Sequence, residues 1–338
     1  MRRTELDLCR IVACVMVLFV HTGAEAFYAC PILSPDFFPL CLISTAVRGS
    51  VPVFFMLSGA LLLSRDRLDV LPFLKKHALY LTGMFFLWSL LYALGSRLAA
   101  GSFGSLYAFF FDVAQGHYHL WFLPAMVLCY LFMPPVWSAL HGERLDARYL
   151  LFLFFLLGIL WTNFNLTPDP AYILNRLTLD LSLEYLPYLG YAVWGYWLSA
   201  KSFGRKWLYI APAVYIAVTV AAAFGNVWYS GYKGEADGWL FSYFSLPSFL
   251  QASAIFCFFR ALGERPLRGG RALGYLSECT LGVYLIHPLV INVFQRLGYS
   301  VDPSRPVASL LVFTLALALT CFALTAAAKR LPVIRKLL

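Results

Sequence analysis

Apolar residues in this chain run in long unbroken stretches, and ten of them approach the length that a hydrocarbon core of about 30 Å requires. They cover residues 6–28, 40–63, 72–97, 118–140, 149–166, 181–199, 207–228, 239–260, 273–296 and 306–328. In lipid only helices or a closed barrel satisfy their own backbone, and the runs lack the apolar/polar alternation of barrel strands. The pattern predicts an all-α, polytopic membrane protein of about ten transmembrane helices. Pro52 in the second stretch and Pro124, Pro134 and Pro135 in the fourth are expected to loosen their helices. The connections 98–117 and 166–181 are long enough for short re-entrant or surface helices.

Composition narrows the picture further. Of 338 residues 61% are hydrophobic and only 13% charged, and the mean hydropathy is +0.73, too little charge for the surface of a soluble domain. Basic residues gather at alternate ends of the stretches: Arg2 and Arg3; Arg65, Arg67, Lys75 and Lys76; Arg144 and Arg148; Lys201, Arg205 and Lys206; Arg260, Arg265, Arg268 and Arg271; Lys329, Arg330, Arg335 and Lys336. The positive-inside rule then predicts cytoplasmic termini and an even number of spans. The net charge of +9 follows from that bias and calls for no nucleic acid. Loops are short and no linker or repeat is evident, so one domain is expected over residues 1–338. Ala24-Glu25-Ala26 superficially resembles a cleavage site, but the long apolar run before it reads as a retained first helix. The eight cysteines show no metal-ligand or redox spacing, so no metal is expected. Cys30 and Cys41 flank the first outer loop, where they could pair in an oxidising compartment or serve as apolar fillers.

The ionisable residues inside the stretches carry the functional signal. In LDLCRIVACVMVLFVHTGAEAFY, Arg10 and His21 are eleven residues apart. That spacing returns to nearly one helix face, about 16 Å further along the axis. Such groups at mid-membrane cost roughly 2.5 kcal/mol or more. They read either as a snorkelling Arg with a His bonded between helices, or as a site. Arg48, in STAVRGSVPVFFMLSG, falls at a depth similar to that of His21 on the next stretch. HYHLWFLP places His117, His119 and Trp121 near the same surface, and LGVYLIHP places His287 in the outer half. Four of six histidines thus converge with Arg48, which favours a site. On the inner side Arg10, Lys75, Lys76 and His77, with Arg65 and Arg67, form a basic mouth suited to anionic lipid or to a phosphorylated cytosolic substrate. The aromatics Tyr185, Tyr188, Tyr191, Trp194, Tyr196 and Trp197 read as interface anchors or as a sugar platform.

Taken together, Arg10 with His21, VPVFFMLSGALLL at 51–63, HLWFLP at 119–124 and LGVYLIHP at 281–288 closely resemble the acyltransferase 3 family of bacterial membrane proteins, in order and over essentially the whole chain. The resemblance implies a stand-alone enzyme of the bacterial inner membrane. It would move an acetyl or other short acyl group from cytosolic acetyl-CoA to a hydroxyl of a surface glycan or its lipid-linked precursor. The family's essential Arg and His map onto Arg10 and His21. Its two arginines three residues apart at the start of the third helix are replaced by FLKKHALYL, with Lys75, Lys76, His77 and then Tyr80.

The mechanism that follows seats CoA phosphates on Arg10, Lys75, Lys76 and His77. His21 acts as general base or transient acyl carrier, and Arg48 stabilises the oxyanion or holds the sugar. Glu25, His119, Trp121 and His287 line the acceptor side, with Glu25 orienting His21. The alternative function is a transporter or flippase for a polar solute or glycan intermediate. A further reading, the membrane part of a D-serine-type resistance racemase, has a similar fold and expects a soluble pyridoxal enzyme after the last helix, where this chain ends at Leu338.

Overall fold

The computed structural model describes residues 3–142, 185–263 and 270–331. The stretch 149–166, the connection 166–181 and the start of the stretch 181–199 lie outside the described residues. Those described are helical, with no strand among them. In chain order the helices are α1 (Thr4–Ala29), α2 (Phe37–Ala46), α3 (Ser50–Leu62) and α4 (Val70–Leu74), then a π-helical turn (Lys75–Leu79) and α5 (Tyr80–Ala100). They continue with α6 (Leu106–Gln115), α7 (Phe122–His141), α8 (Tyr188–Ser199), α9 (Trp207–Lys233), α10 (Leu246–Leu262), α11 (Gly270–Arg296) and α12 (Pro306–Ala328).

Among the described residues, seven helical segments are long and apolar enough to cross a bilayer: α1, α2 with α3, Val70–Ala100, α7, α9, α11 and α12. The protein is therefore a multi-pass membrane protein. α10 is apolar but only 17 residues long. The apolar run 239–260 is split because Trp239–Phe241 forms a 3-10 turn. Ser245 then caps α10, its Oγ accepting the Ser248 N–H at 3.2 Å.

α1 is the hub, packed against α2, α3, α10, α11 and α12. Its far end is held by aromatic stacking: Phe27 lies 5.4 Å from Phe37 and 5.0 Å from Phe241. α3 and α8 approach backbone to backbone. A Cβ on Gly59 would fall 1.8 Å from the Ala192 carbonyl oxygen, and one on Gly195 would fall 2.1 Å from that of Met56. In hydrocarbon, where apolar contact alone drives no association, such small-residue contacts are what let helices bind.

The second stretch is one span broken into two helices. Pro52 has no N–H for the Arg48 carbonyl and cannot continue a regular helix from the preceding turn. Around Val47–Gly49 the ladder tightens, with Arg48 N–H bonding Thr45 and Ser50 N–H bonding Val47. Side chains from other helices also bond the carbonyls at the break. Gln251 Nε2 donates to Thr45 O at 3.0 Å, and Tyr215 Oη to Ala46 O at 2.6 Å. A broken helix at membrane depth needs this satisfaction. Its result is to set Arg48 at the break.

α6 fills the connection after α5. None of its residues is buried, Leu106, Tyr107, Phe110 and Phe111 are exposed, and Asp112 pairs with Arg97 of α5. It reads as a helix lying in the membrane interface. The Cys41 thiol is buried 3.6 Å from the Ala223 carbonyl, and Cys30 and Cys41 are not bonded to each other.

Candidate active site

Helical periodicity puts Arg10 and His21 on one face of α1, and both line one cavity of about 760 Å3. At one end Arg10 Nη1 donates to Ser277 Oγ at 3.3 Å. Arg65, His77, Glu278 and Lys329 line the same end, with Lys329 Nζ bonded to the Glu278 carbonyl at 3.0 Å. The middle is apolar, formed by Val17, Leu18, Phe54 and Met126 among others. His21, His119, Trp121 and Tyr243 close the far end.

Behind His21 stands a histidine cluster. The His21 ring is 4.8 Å from that of His287, which is 5.1 Å from that of His119. His119 Nδ1 is 2.9 Å from His117 Nδ1, so one nitrogen must donate and the other accept. Burial holds the His117 imidazole below its ordinary value, which favours this shared neutral pair. The orientation of His287 follows from its neighbour. Pro288 lacks an N–H, which leaves the Tyr284 carbonyl without its helical donor. His287 Nδ1 donates to that oxygen at 2.7 Å. The proton is therefore on Nδ1, and Nε2 keeps a lone pair, buried beside His21 and without a partner among the described residues. Tyr284 donates its hydroxyl to His119 O, tying the loop before α7 to α11, and Tyr92 of α5 donates to Leu285 O at 2.8 Å, tying α5 to α11.

Arg48 lies with its guanidinium carbon 4.0 Å above the Phe241 ring and its Nε on Ser44 O at 3.2 Å. It lines neither cavity described here, but it adjoins Tyr243, which lines the first. Tyr243 stacks on Trp121 at 5.7 Å, and Trp121 on Tyr185 at 5.9 Å.

His21 also lines a second cavity, of about 510 Å3. Glu25, Asp36, Tyr118, Asn292 and Gln295 contribute its polar wall. His21 makes no hydrogen bond among the described residues. Its imidazole borders both cavities.

Of the sequence candidates, Arg10, His21, His77, His119 and Trp121 meet in the first cavity, and Glu25 stands in the second. His287 is wholly buried behind them and lines neither. Lys75 and Lys76 are exposed and line neither cavity. The π-helical turn that holds them widens the helix by one residue, and it is His77 that faces inward, against Phe73 and Tyr130. Residues that sequence reasoning did not single out are Ser277, Tyr243, Asp36, Asn292 and Gln295. The last two are three apart on α11, a spacing that shares a helix face and could have flagged them. Among the described residues no group of three or more His, Cys, Asp or Glu side chains is arranged to hold a metal ion.

The fold and site define a multi-pass membrane protein with one histidine at the junction of two cavities. The chain belongs to the acyltransferase 3 family, whose acyltransferase-domain model matches residues 3–327. It is also 26% identical over 318 residues to an amino-acid racemase of Enterococcus faecalis, covering 88% of this chain and 42% of that protein. The chain thus spans less than half the length of that relative. No solved structure matches it.

Proposed function

We propose that this protein is an O-acyltransferase of the bacterial inner membrane. It would carry an acetyl or short acyl group from cytosolic acetyl-CoA to a hydroxyl of a cell-surface glycan or its lipid-linked precursor. The observation that carries this reading is that His21 lines both cavities, one of which runs back along α1 to Arg10. About ten spans and cytoplasmic termini put the Arg10 end in the cytosol, where the donor is. The basic residues there suit the phosphates of CoA, and the apolar middle suits a thioester arm.

In this mechanism the acceptor enters from the second cavity, and His21 takes the hydroxyl proton. The oxygen attacks the thioester carbon, and a new C–O bond forms as the carbonyl becomes an oxyanion. Trp121 and Tyr243, with Arg48 next to Tyr243, form the wall where that charge develops. Collapse breaks the C–S bond, and the leaving thiolate takes the proton from His21. A covalent variant, in which His21 itself carries the acyl group, uses the same geometry.

The test is transfer of radiolabelled acetyl from acetyl-CoA in membranes containing the wild type or His21→Ala, with the cell's own glycans and lipids as acceptors. Label in a glycan or lipid fraction with the wild type alone supports the reading; equal label with His21→Ala overturns the role of His21. The junction of the two cavities also suits passage of a solute. That alternative predicts transport without dependence on acetyl-CoA.

A further inference from the structure

The two cavities that meet at His21 carry opposite charge. Arg10, Arg65 and Lys329 line the first, with Glu278 the one carboxylate among the described residues that line it. The second has Glu25 and Asp36, and among the described residues that line it none is Lys or Arg. Glu25 lies four residues after His21 on α1, so one helical turn sets it on the same face. Asp36 is brought across from the loop before α2. Neither carboxylate takes part in an ion pair among the described residues. Asn292 and Gln295 add amide groups from α11. The His21 imidazole, without a hydrogen bond among the described residues, lines the inner end of this space, and the exposed Glu25, Tyr118, Asn292 and Gln295 line its approach from the surface.

We infer that this second cavity seats the acceptor and selects a hydroxyl-bearing molecule that also carries a protonated amine, such as an unacylated amino sugar, over an anionic one. The inference rests on the acyl-transfer reading above. An anionic acceptor would meet two uncompensated carboxylates. An ammonium group gains charge-assisted hydrogen bonds from them. Held in its protonated form, the amine has no lone pair for attack, which leaves the neighbouring hydroxyl as the nucleophile that His21 deprotonates. The acyl group is thereby directed to oxygen, and the product keeps its positive charge. A cavity of this volume lies within the ordinary range for small-molecule sites.

The experiment isolates the product labelled by the wild type with radiolabelled acetyl-CoA and measures its charge by electrophoresis below the amine pKa. Its deacetylated form is then titrated back as acceptor against wild type, Glu25→Gln, Asp36→Asn and the double variant. A cationic product, with the acceptor KM raised about tenfold or more in the double variant and kcat nearly unchanged, is expected; tenfold corresponds to about 1.4 kcal/mol. A neutral or anionic product, or an unchanged KM, overturns the charge selection while the label still demonstrates acyl transfer. No label from the wild type in any fraction overturns the acyl-transfer reading and this inference with it.

Discussion

His21 and His287 stand ring beside ring, 4.8 Å between centroids, and the His287 nitrogen that bears a lone pair has no partner among the described residues. The adjacent proline makes this arrangement possible, since it frees the carbonyl that fixes the tautomer of His287. In the proposed mechanism, where His21 takes a proton from the acceptor, the adjacent lone pair of His287 would steady the imidazolium. His287 is in this sense a positioning residue.

Replacing His287 with Ala should lower kcat by roughly 10-fold to 100-fold, the scale of a general-base contribution partly lost, while leaving the KM for acetyl-CoA within about twofold. Steady-state kinetics in proteoliposomes checks this. A change in donor KM with kcat intact would assign His287 to donor binding instead.

At the donor end, the geometry separates residues that the sequence groups together. Arg10 lines the cavity, whereas Lys75 and Lys76 are exposed outside it. Arg10→Ala is expected to weaken acetyl-CoA binding by about tenfold or more, the loss of one hydrogen bond to a charged group at about 1.5 to 3 kcal/mol. The double variant Lys75→Ala/Lys76→Ala should shift it by less than about twofold. Calorimetric titration with CoA decides between them; equal losses would place the lysines on the donor as well.

Arg48 is held by planarity as much as by charge, stacked on Phe241 and donating its Nε–H to the Ser44 carbonyl. Lys keeps the charge and loses both features. Arg48→Lys and Arg48→Ala should therefore both lower the melting temperature of the detergent-solubilised protein, with a loss on the order of 1 kcal/mol for the cation–π contact. If Lys behaved as the wild type, charge alone would be the requirement.

The α3–α8 contact has no room for a side chain. Gly59→Val or Gly195→Val forces the two backbones apart, an overpacking cost of about 1–3 kcal/mol or more. Size-exclusion chromatography of the extracted variants should show aggregation or loss of protein. A monodisperse, stable Gly59→Val protein would mean that the helices can slide to a new packing.

Several parts of this architecture were legible from residue order. Unbroken apolar runs reveal helices because lipid leaves the backbone no other partner, and α1, α9, α11 and α12 follow their runs closely. Arg10 and His21 share a face because helical periodicity requires it. The break before Pro52 was readable for the same local reason. The missing N–H of Pro52 is a property of one residue, whatever packs around it. The placement of Lys75, Lys76 and His77 was not. A π-helical turn changes which neighbour faces inward, and three adjacent residues carry no signal for that.

Chain order by itself determined an all-helical membrane protein, a candidate pair of ionisable residues on its first helix and a family whose acyltransferase-domain model spans nearly all of it. It took the packing of the helices to set His21 in the lining of two cavities, one with basic and one with acidic side chains among the described residues. That depends on Asp36, Asn292 and Gln295 reaching α1 from distant segments. The packing likewise buried His287 behind His21 and set Arg48 beside the cavity. Periodicity is a short-range property that each stretch carries alone, whereas a cavity is the space that several helices leave when they pack, and no single stretch encodes it.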